Sequence, residues 1–214
     1  MDNILSLPVS VGEAIDKLSI LEIKCDNISD ERKIETTKEY DMLLDKLKVY
    51  LFDYKSLYTS MKNINLIIWK QMDELRDGQL SGEEYSKLCR KCIETNDIRF
   101  RIKNKINLVT NSALKEQKGY KINRLMINLN CNRENFKLFV EPIRYLSYNY
   151  DELIINSPYD LILFSDTFYY DTTIKYNIIM DDVNKLIVFD KHEYDLNEVY
   201  NILEIDDESM KLFT

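Results

Sequence analysis

The stretch of sequence that most restricts the fold runs from Ser29 to Asp77 and contains neither proline nor glycine. Its apolar residues recur at alternating steps of three and four, the spacing that places side chains along one face of a helix. They are Tyr40, Leu43, Leu47, Tyr50, Tyr54, Leu57, Met61, Ile64 and Ile68. The pattern predicts one helix of about 45 residues, far longer than the average helix of a globular protein. Other helices must cover this apolar seam, because an isolated helix is barely stable in water.

Two further helices are predicted, one on each side of this stretch. Residues 10–13, Ser-Val-Gly-Glu, have the capping-box pattern, in which the serine caps the first turn and the glutamate reaches back. Apolar residues then continue at helical spacing through residues 11–28. A second capping box at residues 81–84 opens a helix that the pattern extends to about residue 118. Because short turns make consecutive helices antiparallel neighbours, we predict an antiparallel α-helical coiled-coil hairpin of three helices over residues 1–119.

The C-terminal part has a different texture, with short β-rich runs bounded by turn residues. The predicted strands are Arg124–Leu129, Glu152–Asn156, Asp160–Ser165 and Lys185–Asp190. Helices are predicted over Glu134–Ser147, where Pro142 introduces a kink or a later start, and from Asp195 to about Leu203. Strands that alternate with helices predict a small α/β domain over residues 120–214, for which half of a Rossmann fold is one arrangement. The fold class of the whole chain is therefore α+β.

Charge is spread unevenly along the chain, whose net charge is −8. Residues 1–120 carry 20 basic and 20 acidic side chains, whereas residues 121–214 carry 9 basic and 17 acidic ones. This acidic excess repels phosphate, so a nucleic-acid partner is not expected. The basic stretch from Arg99 to Lys105 is interpreted as a solvated helix face, with a phosphate or RNA contact as the alternative.

Two features of the sequence predict a cytoplasmic protein, or one of the host cytoplasm if the chain is viral. No apolar run approaches the roughly 20 residues of a membrane span, and Met1–Ser10 has no basic or apolar region typical of a secretory signal. The four cysteines are thinly spread, as expected of reduced thiols. Cys89 and Cys92 form a Cys-x-x-Cys pair inside a predicted helix, which favours core cysteines over a redox or metal site.

Several classes of enzyme are excluded by what the sequence contains. One histidine rules out two-histidine zinc sites, and four scattered glycines rule out a glycine-rich phosphate loop. The long apolar seam, together with this scarcity of catalytic groups, favours a non-enzymatic interaction or scaffold protein. Its partner would be another protein or a second copy of the chain, bound through the helices.

Polar residues interrupt the predicted apolar seam at one level. If the helices fold back near residue 80, Asn65 lies near Thr95. The other members of this polar layer are Asp16, Lys17, Asn96, Asp97 and Arg99. Buried amides destabilise a core unless they are hydrogen-bonded. We interpret the layer as a device that specifies helix register, with a ligand or catalytic pocket as the alternative.

A second candidate site consists of acidic residues in the C-terminal part. Asp166 and Asp190 each follow a predicted strand, at the edge where α/β proteins bind ligands. With Asp181, Asp182 and His192, they could hold Mg²⁺ or Mn²⁺ together with a nucleotide sugar. The alternative is turn chemistry, because aspartate is common in turns, and a surface position for His192. No metal ligand set is predicted beyond this group.

Three segments carry a resemblance to a known family. They are SVGEAIDKLSILEIK at Ser10–Lys24, LIIWKQMDELR at Leu66–Arg76 and ETNDIRFRIKNKIN at Glu94–Asn107. Over about residues 8–120 the chain resembles a family of uncharacterised bacterial and viral proteins, a domain of unknown function. Its members begin with Ser-Val-Gly-Glu, two hydrophobic residues and Asp-Lys, and later carry Asn-Asp-x-Arg. The resemblance implies no activity, although members often accompany proteins of glycan synthesis.

Another resemblance involves IRYLSYNYDELII at Ile143–Ile155. This segment is similar to the first helix and second strand of heptosyltransferase-like glycosyltransferases of the Rossmann type. In that group the preceding strand ends in a Gly-Asp loop, whereas residues 130–133 here read Asn-Cys-Asn-Arg. The resemblance implies an alternative function in glycan synthesis, in which the α/β domain binds or transfers a sugar. That function requires Asp166 and Asp190 to converge on an open cleft.

Overall fold

A computed structural model describes residues 5–169 and 171–206 of the chain. The chain divides into two compact units, Met1–Gln117 and Lys118–Thr214. The first unit is built of helices and the second contains a parallel β-sheet with short helices. The predicted α+β class is therefore confirmed. Residues 1–4, which belong to the segment searched for a secretory signal, lie outside the described part.

Within residues 5–117, the N-terminal unit contains four helices where three were predicted. They are α1 (Val11–Asn27), α2 (Arg32–Asp53), α3 (Lys55–Asp77) and α4 (Gly82–Val109). The single helix predicted for the second and third of these is wrong, because the backbone leaves the helical region at Tyr54, with φ −125° and ψ 41°. The Tyr54 hydroxyl donates a hydrogen bond to the Val109 carbonyl at 3.0 Å, which holds this junction at the end of α4.

The last helix of this unit ends earlier than the apolar pattern indicates. Its N-terminus is as predicted, because Ser81 and Glu84 make both hydrogen bonds of a capping box. Its C-terminus lies at Val109 and not near Gly119. Asn111 has a positive φ of 49°, and asparagine is one of the few residues that adopt this conformation at low cost. The chain therefore turns away before the glycine is reached.

In the described part of the C-terminal unit, four parallel strands form a sheet in the order β3-β2-β1-β4. The strands are β1 (Arg124–Leu129), β2 (Glu152–Asn156), β3 (Ile174–Tyr176) and β4 (Lys185–Phe189). The helices are a 3-10 helix (Arg133–Phe139), α5 (Val140–Asn149), α6 (Ile162–Thr167) and α7 (Leu196–Leu203). This strand order is that of the first four strands of a Rossmann fold. Pro142 occupies the first turn of α5, where proline is tolerated.

One predicted strand of this unit is wrong and one observed strand was not predicted. Asp160–Ser165 was predicted as a strand, but most of it lies in α6. Short apolar runs suit a buried helix as well as a strand, so periodicity alone cannot separate them. The missed strand, β3, has three residues and forms through its pairing with β2.

The two faces of the sheet are covered differently. One face packs against helices around a cluster of buried aromatic rings. In this cluster the ring centroids of Phe139 and Phe189 lie 4.7 Å apart in an edge-to-face arrangement. Residues 177–184 join the carboxyl end of β3 to the amino end of β4, so this segment has to cross the other face. Its beginning is held by Asn156, whose side-chain oxygen accepts a hydrogen bond from the Ile178 amide at 3.0 Å.

A charged row crosses three strands of the sheet. Glu152 on β2 lies 2.6 Å from the Nε of Arg124 on β1 and 2.5 Å from the Nζ of Lys175 on β3. Partial burial opposes ionisation of Glu152, but the hydrogen bonds from Lys175 and Arg124 outweigh it and lower the pKa of the carboxyl below its usual value. The row therefore stabilises the sheet only while Glu152 is ionised.

We expect Glu152→Gln to lower the stability by about 1 kcal/mol at neutral pH. A carboxyl whose pKa is depressed by folding stabilises the protein above its unfolded-state pKa, and this contribution is lost as the pH falls through its folded-state pKa. Urea unfolding from pH 7 to pH 3 should therefore show the difference between variant and wild type shrinking at acidic pH. Glu141→Gln, which removes an exposed pair with Arg144, is the control. A difference that stays constant to pH 3 would contradict this account.

Candidate functional site

The predicted polar layer has a buried carboxylate at its centre. Asp16 on α1 is only 1% exposed. Its Oδ1 accepts hydrogen bonds from Asn65 Nδ2 at 2.8 Å and Arg99 Nε at 2.9 Å, and its Oδ2 accepts one from Arg99 Nη2 at 2.6 Å. Asn65 also donates to the Ser19 hydroxyl at 2.8 Å. Three helices, α1, α3 and α4, are thus joined through one carboxylate.

A lysine that the sequence analysis missed extends this network. Lys103 lies one helical turn after Arg99, and its Nζ is 3.0 Å from Glu13, 2.5 Å from Glu116 and 4.0 Å from Asp16. Burial disfavours its charge, but the hydrogen bonds to Glu116 and Glu13 leave its pKa above the usual value. The hydrogen bonds to Asp16 likewise raise the pKa of Arg99. Both cations therefore stay charged and paired with carboxylates.

The interpretation of residues 99–105 as a solvated helix face is wrong for two of its basic residues. Lys103 and Lys105 are 8% and 6% exposed. Alternating charges suggested a solvated helix, but α1 packs against α4 and covers part of that face. The spacing of four between Arg99 and Lys103, which places them on one side of a helix, was the available signal.

The start of α1 docks on the end of α4 through hydrogen bonds from its backbone amides to side chains. The amide of Gly12 donates to Asn107 Oδ1 at 2.7 Å, and the amide of Val11 donates to the Ser112 hydroxyl at 3.1 Å. A Cβ atom at Gly12 would lie 2.5 Å from the backbone oxygen of Lys103, so only glycine allows this approach. Amides at a helix N-terminus lack partners within their own helix. The Ser-Val-Gly-Glu motif thus serves the contact between α1 and α4.

Other residues predicted for the polar layer lie apart from Asp16. Thr95 accepts a hydrogen bond from Gln71 Nε2 at 3.1 Å, so the expected pairing of Thr95 with Asn65 is wrong by about two turns. Lys17 points outward and pairs with Glu39 at 2.6 Å. Asn96 is exposed and accepts a 3.4 Å hydrogen bond from Arg99, and Asp97 is half-buried. The sequence placed these residues at one level, whereas packing separates them around the helices.

The arrangement around Asp16 leaves little room for chemistry. Both carboxylate oxygens accept hydrogen bonds from side chains, and the Arg99 and Lys103 cations face carboxylates. Removing one member of a buried ion pair is costly, and polar groups in a core are known to specify helix register in some proteins. The geometry therefore fits the register interpretation better than a pocket.

The acidic residues of the C-terminal unit are not drawn together. Asp166 lies in α6, which leads to the amino end of β3, so the strand expected to precede it does not exist. Asp190 and His192 follow the carboxyl end of β4, and all three residues are exposed. Asp182 pairs with Arg124 and Lys121, each at 3.3 Å. Within residues 5–169 and 171–206, no group of three His, Cys, Asp or Glu is arranged to hold a metal ion.

The edge of the sheet between β1 and β4 is the place where Rossmann folds open a ligand crevice. Here the two loops that leave these strands are joined by backbone hydrogen bonds. The Asn130 amide donates to the Phe189 carbonyl at 2.8 Å, and the Asn132 amide donates to the His192 carbonyl at 2.9 Å. Both following helices, the 3-10 helix and α7, also pack against one another. The loops therefore stay together at this edge.

The Cys-x-x-Cys pair lies within α4, beyond its first turn and away from the helix N-terminus. Cys89 and Cys92 are half-buried and unbonded to each other. Burial, with a smaller effect of Cys89, raises the pKa of the Cys92 thiol. A raised pKa lowers the thiolate fraction, and the thiolate is the reactive form of cysteine.

In the described part of the chain, no helix combines the length and apolar character that crossing a membrane requires.

Fold and site together define an α+β protein whose N-terminal helices are joined by a buried network of charges. The chain belongs to the family of unknown function DUF6165, whose model matches residues 5–132. The predicted family membership is thereby confirmed, and the match extends beyond the predicted residue 120 to include β1. No curated protein and no solved structure matches the chain. The resemblance to heptosyltransferase-like enzymes consequently gains no support from known proteins.

Proposed function

We propose that this protein is a non-enzymatic interaction protein whose helical unit provides the contact surface. The observation that carries the proposal is a row of exposed apolar side chains on α2, here called the α2 outer stripe. It consists of Ile34, Met42, Val49 and Phe52, which are 71%, 41%, 63% and 88% exposed. Charged Lys38 and Asp45 lie between them on the same face, and large exposed apolar side chains gathered on one face among polar residues are typical of protein contact sites.

The position of the stripe on α2 supports this proposal. Successive helical residues turn by about 100°, so all four members lie within one quarter of the helix circumference. Leu47, the one buried residue within the fully described span of α2, lies on the opposite side. A helix of 22 residues thus contributes one buried residue to the core of its unit while exposing four large apolar ones.

A photo-crosslinking experiment tests whether this surface contacts a protein. A photoreactive amino acid at Val49 should give discrete adducts in cells that produce the full chain, and Phe52→Glu in the same chain should abolish them. The same photoreactive group at Ile179, an exposed apolar residue of the C-terminal unit, is the control. The proposal fails if no adduct forms from Ile34, Val49 or Phe52.

The alternative function in glycan synthesis predicts a different result. A nucleotide sugar that binds the folded chain would raise its melting temperature, and the rise would grow with the logarithm of the ligand concentration once that concentration exceeds Kd. A rise that requires Mg²⁺ or Mn²⁺ and disappears in Asp190→Asn would favour that alternative. We expect no such rise.

A further inference from the structure

We infer that the α2 outer stripe binds the same stripe of a second copy of this chain, with the two α2 helices antiparallel. This inference rests on the proposed function, because it identifies the partner of the surface described there. The residues beside the four apolar side chains carry charges that complement those of a second antiparallel helix.

Exposed residues of α2 repeat at heptad spacing. Residues 35, 42 and 49 occupy one set of seam positions and residues 38, 45 and 52 occupy the other. Antiparallel helices pair the first set with the second. When Met42 faces Asp45 of the second copy, Lys38 faces Val49 and Glu35 faces Phe52. Each charged seam residue thus meets an apolar side chain, and the methylene groups of Lys38 and Glu35 can lie over that side chain while the charged end reaches water.

The flanks of the seam are self-complementary in the same alignment. On one side Asp41 faces Lys48 of the second copy, and on the other Glu39 faces Lys46. Symmetry repeats each contact, because the two copies share one surface. All four residues are exposed. On both flanks the acidic residue precedes the basic one along the helix. This order is reversed in an antiparallel copy, so each of these four charges meets an opposite charge.

A parallel pair of helices would be opposed by like charges. In that alignment each seam residue faces its own counterpart, so Glu35, Lys38 and Asp45 would each meet an identical charge. Like charges placed directly opposite one another cost free energy. The seam therefore selects the antiparallel arrangement.

Ion pairs already present within one copy do not block this contact. Glu39 pairs with Lys17 and Lys48 pairs with Asp45, and all four side chains are about half exposed or more. Exposed pairs contribute little free energy, so they can exchange for pairs across the interface. A helix of this length is about 33 Å long, which limits the interface to the small end of specific contacts. We accordingly expect a dimer with a Kd in the micromolar range.

Sedimentation velocity of the full chain from about 5 to about 200 μM tests the inference. The wild type should shift from monomer to dimer over this range. Val49→Glu and Phe52→Glu should each weaken dimerisation at least about tenfold, without loss of helical circular dichroism. Ile93→Glu, on an exposed apolar residue of α4, is the matched control and should leave the dimer unchanged.

A charge exchange tests the antiparallel alignment. Asp41→Lys places two lysines opposite each other, and Lys48→Asp places two aspartates opposite each other, so each substitution alone should weaken the dimer. The double variant restores opposite charges and should recover wild-type affinity. In a parallel dimer Asp41 would face Lys46 and Lys48 would face Asp53, and the double variant would be the weakest of all.

The outcomes separate this inference from the function on which it rests. A wild type that remains monomeric at the highest concentration overturns the inference, as does a dimer that is insensitive to Val49→Glu and Phe52→Glu. The proposed function survives either result if photo-crosslinking at Val49 still captures another protein. Failure of the double charge variant to recover affinity overturns the antiparallel arrangement.

Discussion

Asp16→Ala is expected to lower the free energy of unfolding of the helical unit by about 3–5 kcal/mol. The carboxylate is 1% exposed and accepts hydrogen bonds from Asn65 and from the Nε and Nη2 of Arg99. Its removal leaves the Arg99 charge facing an apolar side chain at a site that water barely reaches. The cost therefore comes mainly from the uncompensated cation, with a smaller part from the one Asn65 hydrogen bond that is lost.

Urea unfolding followed by tryptophan fluorescence measures this effect, because Trp69 is the one tryptophan of the sequence and lies in α3. Asp73→Ala, which removes an exposed pair with Arg76, is the control and should change stability by less than about 1 kcal/mol. A double-mutant cycle gives a second readout, since Arg99→Ala should cost much less in the Asp16→Ala background. Equal losses from Asp16→Ala and Asp73→Ala would show that the network contributes nothing.

Gly12→Ala is expected to destabilise the same unit by about 1–3 kcal/mol. The new Cβ would lie 2.5 Å from the backbone oxygen of Lys103 and 2.9 Å from Asn107 Oδ1. A backbone atom cannot rotate away as the end of a side chain can, so α1 must move from α4. That movement also lengthens the hydrogen bond from the Gly12 amide to Asn107.

Gly82→Ala provides the matched control for this prediction. Gly82 is the first residue of α4, as Gly12 is the second residue of α1. A Cβ atom at Gly82, however, would have no neighbour within 4 Å. Alanine should stabilise that position by about 0.4–1 kcal/mol, because it restricts the unfolded chain. Opposite signs for the two substitutions in urea unfolding would confirm that α1 and α4 approach closely at Gly12. Two stabilising substitutions would rule out that close approach.

Much of the fold follows from local sequence patterns. β1 and β2 have the predicted bounds, because each is a run of aliphatic residues between polar turn residues. A capping box located the start of α4, and α7 lies where a helix was predicted. By contrast, β3 was missed because three residues carry too little pattern, and their strand form depends on pairing with β2.

The candidate site was predicted only in part. Asp16, Asn65 and Arg99 were assigned to one layer, and they do meet. Lys103, Glu13 and Glu116 were missed, although they belong to the same network. Helical periodicity tells which side of its own helix a residue occupies. It does not tell which residue of a distant helix lies opposite, and Asp16 and Arg99 are 83 positions apart.

Sequence alone specified the helical seams, the caps and two strands, because backbone preference and side-chain periodicity act over a few neighbouring residues. Three features required the tertiary structure: the break at Tyr54, the meeting of Lys103 with Asp16, and the exposure of the α2 outer stripe. Each depends on where one helix lies against another, and that is decided by packing across many residues of sequence. Whether an apolar side chain on a helix belongs to the core or to the surface depends on whether another element covers it. In α2 the covered face is the one around Leu47.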